Sequence, residues 1–258
     1  DPDVTSAVIE AIKSTWPTAN DLEITLEANP GSVEVGRFQA YGQAGVNRIS
    51  MGIQALNDPD LRRLGRIHTV KEAFQAFDIA RDNFSRVSFD LIYARQGQSL
   101  SDWRSELSKA LNMAVDHLSL YQLTIDPGTV FARRHANGKL LDLPSDDLSG
   151  DMFDITQDVC DAHGMTAYEV SNHAQHGSES RHNLIYWRYG DYLGIGPGAH
   201  GRVTEAGVRF ATEAVSNPDR WLDLAERGNA LKNKNALNPE TQANEYLMMS
   251  LRLAEGTC

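Results

Sequence analysis

Twenty residues from His182 to Gly201 hold two histidines, four aromatic side chains and five glycines. Glycines at that density let a backbone approach a ligand closely and take positive φ, while flat rings and imidazoles suit a large planar partner. An imidazole, an amide and two rings, those of His182, Asn183, Tyr186 and Trp187, fall within six residues. A lone histidine is more often a core or capping residue, yet imidazole is also a common axial ligand of haem iron, so both roles stay open for His182. The run Gly194–Gly201 has the density of a phosphate loop, but it lacks a Gly-Lys-Ser/Thr ending and Pro197 removes an amide donor. Nucleotide phosphate binding is therefore disfavoured there.

A second set of polar residues lies further upstream. Thr25 and Glu27 share a parity, as do Ser50, Gly52 and Gln54, and Ser88 and Asp90, each set alternating with apolar residues. Alternation places these sets on one strand face, with a carboxylate or amide toward each C-terminal end. Helices cover the apolar face of such strands, so the polar set should line a barrel lumen at the end where barrels keep their sites. One strand-end carboxylate is commonly a loop cap; three convergent polar groups make a site. Arg66 and His68 fall in the loop leaving that same end, and a guanidinium fork there suits a carboxylate.

The elements that would position these groups follow a repeat. Val4, Ala7, Val8, Ala11 and Ile12 have helical spacing, and Leu22 to Ala28 alternate as a strand. Ser32 can cap a second helix with Val35, Phe38 and Tyr41 on one face, ended by Gly45, before a strand Arg48–Gln54. A short helix starts at Asn57 and Asp58, with Pro59 in its first turn. Thr69 and Glu72 have capping-box spacing ahead of a stripe through Phe77, then a strand Val87–Tyr93. A stripe through Trp103 and Leu107 precedes His117–Ile125, a strand of unclear parity. A βα unit of about thirty residues predicts a parallel sheet closed or nearly closed into a barrel.

After about residue 135 the rhythm changes: a long helix from Ser145 to Gly164, a strand Ala167–Ser171, a hairpin over Val203–Phe210, and helices after Asn217 and Asn238. The expected fold is α/β. Residues 1–135 would form part of a (β/α) barrel, and residues 136–258 a mixed α+β accessory region holding the aromatic and glycine-rich run.

The chain has 258 residues and a net charge of −11, which disfavours nucleic acid or an anionic bilayer as partner. It shows no apolar run long enough to span a bilayer and no signal-like start, so a cytoplasmic location is expected. Its two cysteines, Cys160 and Cys258, cannot build a disulfide framework or a cysteine metal site. Starting at Asp1 and closing on Cys258 beyond an apparent helix end, it has the look of an excised fragment.

Six segments in order carry a resemblance: Glu27-Ala28-Asn29-Pro30-Gly31, Asn47 to Gln54, Leu64-Gly65-Arg66-Ile67-His68, Phe89-Asp90-Leu91-Ile92-Tyr93, Leu118 to Thr124, and His182 to Gly201. Together they resemble the radical SAM superfamily, in the branch of oxygen-independent coproporphyrinogen III oxidases and HemW-type haem chaperones. The resemblance implies a (β/α) radical SAM barrel, S-adenosylmethionine and a 4Fe–4S cluster as cofactors, and haem or porphyrin as ligand. His182-Asn183-x-x-Tyr186-Trp187 is similar to the HNxxYW signature proposed to contact haem in the chaperones. Glu27, Gln54, Arg66 and Asp90 match S-adenosylmethionine contacts of the oxidase, and Thr124 and His200 match less closely. In such a site Glu27 would meet the ammonium, Arg66 the carboxylate, and Asp90 with Gln54 the ribose.

The family's CxxxCxxC loop is absent from this sequence, as is its Gly-Gly-Thr-Pro-like segment, and both are expected upstream of Asp1. As supplied, the chain is therefore expected to be inactive in cleaving S-adenosylmethionine. The family's Gly-Leu-Pro after Asp-Leu-Ile-Tyr is replaced by Ala94-Arg95-Gln96. The resemblance favours a haem chaperone that delivers haem to a haem-dependent acceptor, with a membrane-associated acceptor left open. The alternative is oxidative decarboxylation of coproporphyrinogen III to protoporphyrinogen IX.

Overall fold

The computed structural model describes residues 1–32 and 35–257. The expected cap at Ser32 and the apolar position Val35 concern side chains outside that description, as does Cys258. The chain splits into two compact units, Asp1–Glu179 and Ser180–Cys258.

The first unit begins with α1 (Pro2–Thr15), β1 (Thr25–Ala28), a 3-10 turn (Pro30–Ser32), α2 (Val35–Ala44) and β2 (Arg48–Gln54). It continues through α3 (Asp58–Arg63), α4 (Val70–Asn83), β3 (Arg86–Tyr93), α5 (Leu100–Met113) and β4 (His117–Gln122). The remaining elements are α6 (Val130–Ala136), α7 (Asp146–Ala162), β5 (Thr166–Glu169) and β6 (Asn172–Ala174). Asn57 caps α3, and Thr69 and Glu72 close both halves of the capping box that starts α4. Ser145 caps α7, and Gly164, at φ +71, follows its end.

Six strands make one open sheet in the order β1-β2-β3-β4-β6-β5, with β1 to β4 parallel and the β5–β6 hairpin joined antiparallel to β4. One face is apolar: Ile49, Met51, Ile53, Val87, Phe89, Leu91, Leu118 and Leu120 are buried, and Ala73, Phe77, Trp103, Leu107 and Met152 from the helices join them in the core. Because the hairpin extends the sheet beyond β4, this unit ends after Glu179 and not where the βα rhythm changes near residue 135.

The helical spacing of Val4, Val8 and Ile12 matches α1, where all three are exposed and the buried residue is Ile9, which packs toward Gly45 after α2. The fourth strand, expected to run to Ile125, stops at Gln122: the bond from the Leu123 amide to the Tyr93 carbonyl is the end of its ladder with β3, and a turn from Asp126 to Thr129 follows.

The second unit holds α8 (Arg181–Trp187), β7 (His200–Glu205), β8 (Val208–Ala214), α9 (Pro218–Glu226), β9 (Leu231–Ala236) and α10 (Pro239–Ser250). Its three strands are antiparallel in the order β7-β8-β9. The β7–β8 turn, Ala206-Gly207, has positive φ at both residues, as a two-residue hairpin demands. The helix α8 and the strand β9 carry no clear periodic signal; all six residues of β9 are exposed, and its lysines suit a sheet edge.

Candidate functional site

The polar face of the first sheet is a connected column. Arg48, buried near the start of β2, donates to Ser88 Oγ at 2.9 Å; Ser88 Oγ meets Ser50 Oγ at 3.2 Å; and Ser50 Oγ reaches Asp90 Oδ1 at 3.5 Å. Ser119 on β4 donates to Asn172 Oδ1 at 2.8 Å, and Asn172 Nδ2 donates to Glu169. The parallel register sets Glu27 beside Ser50 and Asp90 beside Ser119, so strand parity brings the expected groups to one face. Burial pushes the Asp90 carboxyl up to about 6; the Ser119 hydrogen bond opposes that rise and the Glu27 charge adds to it. Lower down, desolvation holds the buried His117 imidazole well below its usual range, and the Arg48 and Arg86 charges act in the same direction.

At the C-terminal end of β2 the pairing with β3 slips by one residue between Met51 and Gln54, a bulge that alternation could not reveal. Gln54 stands there at φ 75. Its amide folds back over Gly52, where a Cβ would come within 2.9 Å of Nε2, so Gly52 supplies space that a side chain would fill. Arg66 Nη1 donates to Asn29 Oδ1 at 3.4 Å, linking the loop after β2 to the loop after β1. His68 is buried and donates from Nε2 to the carbonyl of Ile53 at 3.1 Å. Glu27 is exposed on the edge strand, and Thr124 is exposed in the loop after β4, its hydroxyl donating to Asp126 at 3.3 Å. Asn29, Ser50, Ser119 and Asn172 thus join a site that sequence reasoning peopled with Glu27, Gln54, Arg66 and Asp90. Only the even parity of Ser50 signalled one of them.

A zwitterion carrying a sugar needs an anion, a cation, hydroxyl acceptors and room. Glu27, Arg66, Asp90 with Gln54, and the Gly52 gap are of the kinds such a ligand requires, and would suit S-adenosylmethionine. A thiolate-bound iron–sulfur cluster does not fit the residues of this chain. Cys160 is buried in α7 with its thiol pushed up to about 12 by desolvation, and no group of three or more His, Cys, Asp or Glu among the described residues could hold a metal.

In the second unit, Ser180 caps α8 through the Asn183 amide at 3.5 Å. The helix sets His182 and Tyr186 one turn apart, and their rings meet edge-on with centroids 4.7 Å apart. Tyr192 extends this group, its centroid 4.1 Å from that of Tyr186. Trp187 lies under the Arg252 guanidinium at 4.4 Å, and its buried Nε1 has no partner among the described residues. Asn183 and Trp187 are again one turn apart, on a different flank of α8 from His182 and Tyr186. His200 is exposed at the start of β7, opposite Glu213 in register. The glycines after α8 serve close packing: a Cβ on Gly194 would fall 2.1 Å from the His200 carbonyl oxygen, and one on Gly201 would fall 2.6 Å from Thr212 Oγ1. That packing gives the segment a structural purpose in place of a phosphate cradle.

The sheet and the donor set on its polar face define a class. The model of the radical SAM superfamily matches residues 1–110, and the chain belongs to that superfamily. Within it, the chain is 38% identical over 261 residues to radical S-adenosyl methionine domain-containing protein 1, mitochondrial, of Danio rerio, covering 99% of this chain and 59% of that protein. It is 38% identical over 250 residues to heme chaperone HemW of Escherichia coli (strain K12), covering 96% of this chain and 64% of that protein. The solved structure of coproporphyrinogen III oxidase (HemN) from Escherichia coli, a radical SAM enzyme, shares the fold with a TM-score of 0.78 at 22% identity, over 98% of this chain and 60% of that one. The chain thus spans about three-fifths of the length of these relatives. No helix among the described residues is long and apolar enough to cross a membrane.

Proposed function

We propose that this chain is part of a radical SAM haem chaperone, which binds haem on the second unit and passes it to a haem-dependent acceptor. The observation that carries this reading is the aromatic group at α8, where His182 and Tyr186 of the helix and Tyr192 beyond it cluster their rings, edge-on and tilted, on a partly exposed face. Flat rings supply dispersion to a macrocycle, and the His182 imidazole supplies a nitrogen for its iron. The similarity to proteins named heme chaperone HemW supports the same assignment.

On the first unit, Glu27 holds the ammonium of S-adenosylmethionine, Arg66 its carboxylate, and Asp90 and Gln54 the ribose hydroxyls. Bound in this way, the cofactor would supply radical chemistry only alongside an iron–sulfur cluster, whose thiolate set two cysteines do not make up.

Titrating haem into the full-length protein, with the Soret band as signal, tests the reading. A saturable one-equivalent change that His182→Ala abolishes supports it. Equal binding by both proteins returns His182 to a structural role. Turnover of coproporphyrinogen III to protoporphyrinogen IX by the cluster-loaded protein would replace the chaperone with the oxidase.

A further inference from the structure

Gln54 is a β-strand residue in a left-handed backbone conformation, φ 75, on a bulge. Glycine or asparagine takes that conformation readily; a glutamine needs surroundings that over-determine it. Two buried side chains from distant parts of the chain grip the backbone on either side of it. His68 Nε2 donates to the carbonyl of Ile53 at 3.1 Å, and Glu106 Oε1, from α5, accepts from the amide of Leu56 at 2.6 Å. Glu106 is itself fixed. Its Oε2 accepts from Arg95 Nη2 at 2.5 Å and from Gln98 Nε2 at 3.3 Å, and the side-chain oxygen Gln98 Oε1 accepts from the Arg95 backbone amide at 3.2 Å. Arg95 also reaches Asp60 Oδ2 on α3 from Nε at 3.1 Å and from Nη2 at 3.0 Å, and it donates to the carbonyl of Ile92 at the end of β3. Arg95, Gln98, Glu106 and His68 are all buried. A buried ion pair with its remaining hydrogen bonds satisfied fixes geometry more than it adds stability.

We propose that Glu106, Arg95 and His68 are positioning residues that clamp the β2 bulge and hold the Gln54 amide over Gly52, where S-adenosylmethionine binds. The clamp joins the loops after β2 and β3 with α3 and α5, so the cofactor side of the sheet is set by a network whose members do not touch the ligand. This rests on the cofactor role assigned to Gln54 above.

The test is S-adenosylmethionine binding to the full-length protein by equilibrium dialysis, together with hydrogen exchange at the Leu56 amide. Gln54→Ala is expected to weaken binding about tenfold and Glu106→Ala by a similar factor. The double variant should bind no more than about twofold more weakly than either single, because the two changes remove one interaction. Glu106→Gln keeps an acceptor for Leu56 and recovers most of the affinity. Exchange at Leu56 speeds up in Glu106→Ala and not in Gln54→Ala. Should Glu106→Ala fail to fold, Arg95→Met with Glu106→Met removes both buried charges together and is expected to give the same loss. Wild-type affinity in Gln54→Ala overturns the cofactor role of Gln54 and the proposal with it. Full additivity, or unchanged Leu56 exchange in Glu106→Ala, overturns the clamp and leaves that role standing.

Discussion

At Asp90 the same burial that builds the site makes it sensitive to pH. Its carboxyl is raised from 3.8 to about 6, so the ionised form is disfavoured in the fold. The associated stability is fully present below the unfolded value and is lost as pH rises through about 6. Asp90→Asn should therefore raise the urea midpoint above pH 6 and leave it nearly unchanged at pH 4; an equal gain at both would deny the shift. His173 has the opposite sign. Both of its ring nitrogens are buried without partners among the described residues, and desolvation lowers it from 6.5 to about 4. Its neutral form stabilises the fold above 6.5, and that contribution is lost as pH falls toward 4. His173→Leu is expected to be neutral or stabilising at pH 7 and to flatten the acid limb of stability, read from midpoints between pH 4 and 7. Parity placed Asp90 on the polar face from the sequence, whereas the isolation of His173 arises only once β6 is set between β4 and β5.

Among the elements, the docking of α5 on α7 shows how a stripe can be legible without its partner. Trp103 belongs to the apolar stripe that periodicity predicts, and it is fully buried, stacked on Tyr93 with centroids 5.2 Å apart. Its Nε1 donates to Thr156 Oγ1 at 2.8 Å, a contact across 53 residues that spacing could not announce. Thr156→Val keeps the shape and strands the indole N–H, and should cost about 1–3 kcal/mol. Thr156→Ser keeps the acceptor and should cost less; equal losses in urea melts would assign the effect to packing. Caps were the most readable features, since Thr69 with Glu72, Asn57, Ser145, Asn217 and Asn238 all act within four residues of their own helices. The spacing of Val4, Val8 and Ile12 made α1 legible as a helix, but amphipathic spacing marks an apolar face without saying what covers it, and these three are exposed.

Over the whole chain, protection should follow burial. Amide exchange is expected to be slowest in β2 and β3, which are central and covered, and fastest in β9, whose residues are all exposed at a sheet edge. Comparable protection in β9 and β3 would count against this arrangement. The sequence determined what short-range periodicity encodes: the βα order, the helix starts, the common face of Glu27, Ser50 and Asp90, and membership in a family whose motifs are read as strings. Tertiary structure alone decided the bulge and left-handed backbone at Gln54, the β5–β6 hairpin that moves the division of the chain to residue 179, and the Glu106–Arg95 network behind the cofactor loops. The reason is range. A helix or strand face is fixed by neighbours a few residues away, but a register slip or a buried ion pair is selected by groups tens of residues distant, and it exists only once the core has brought them into contact.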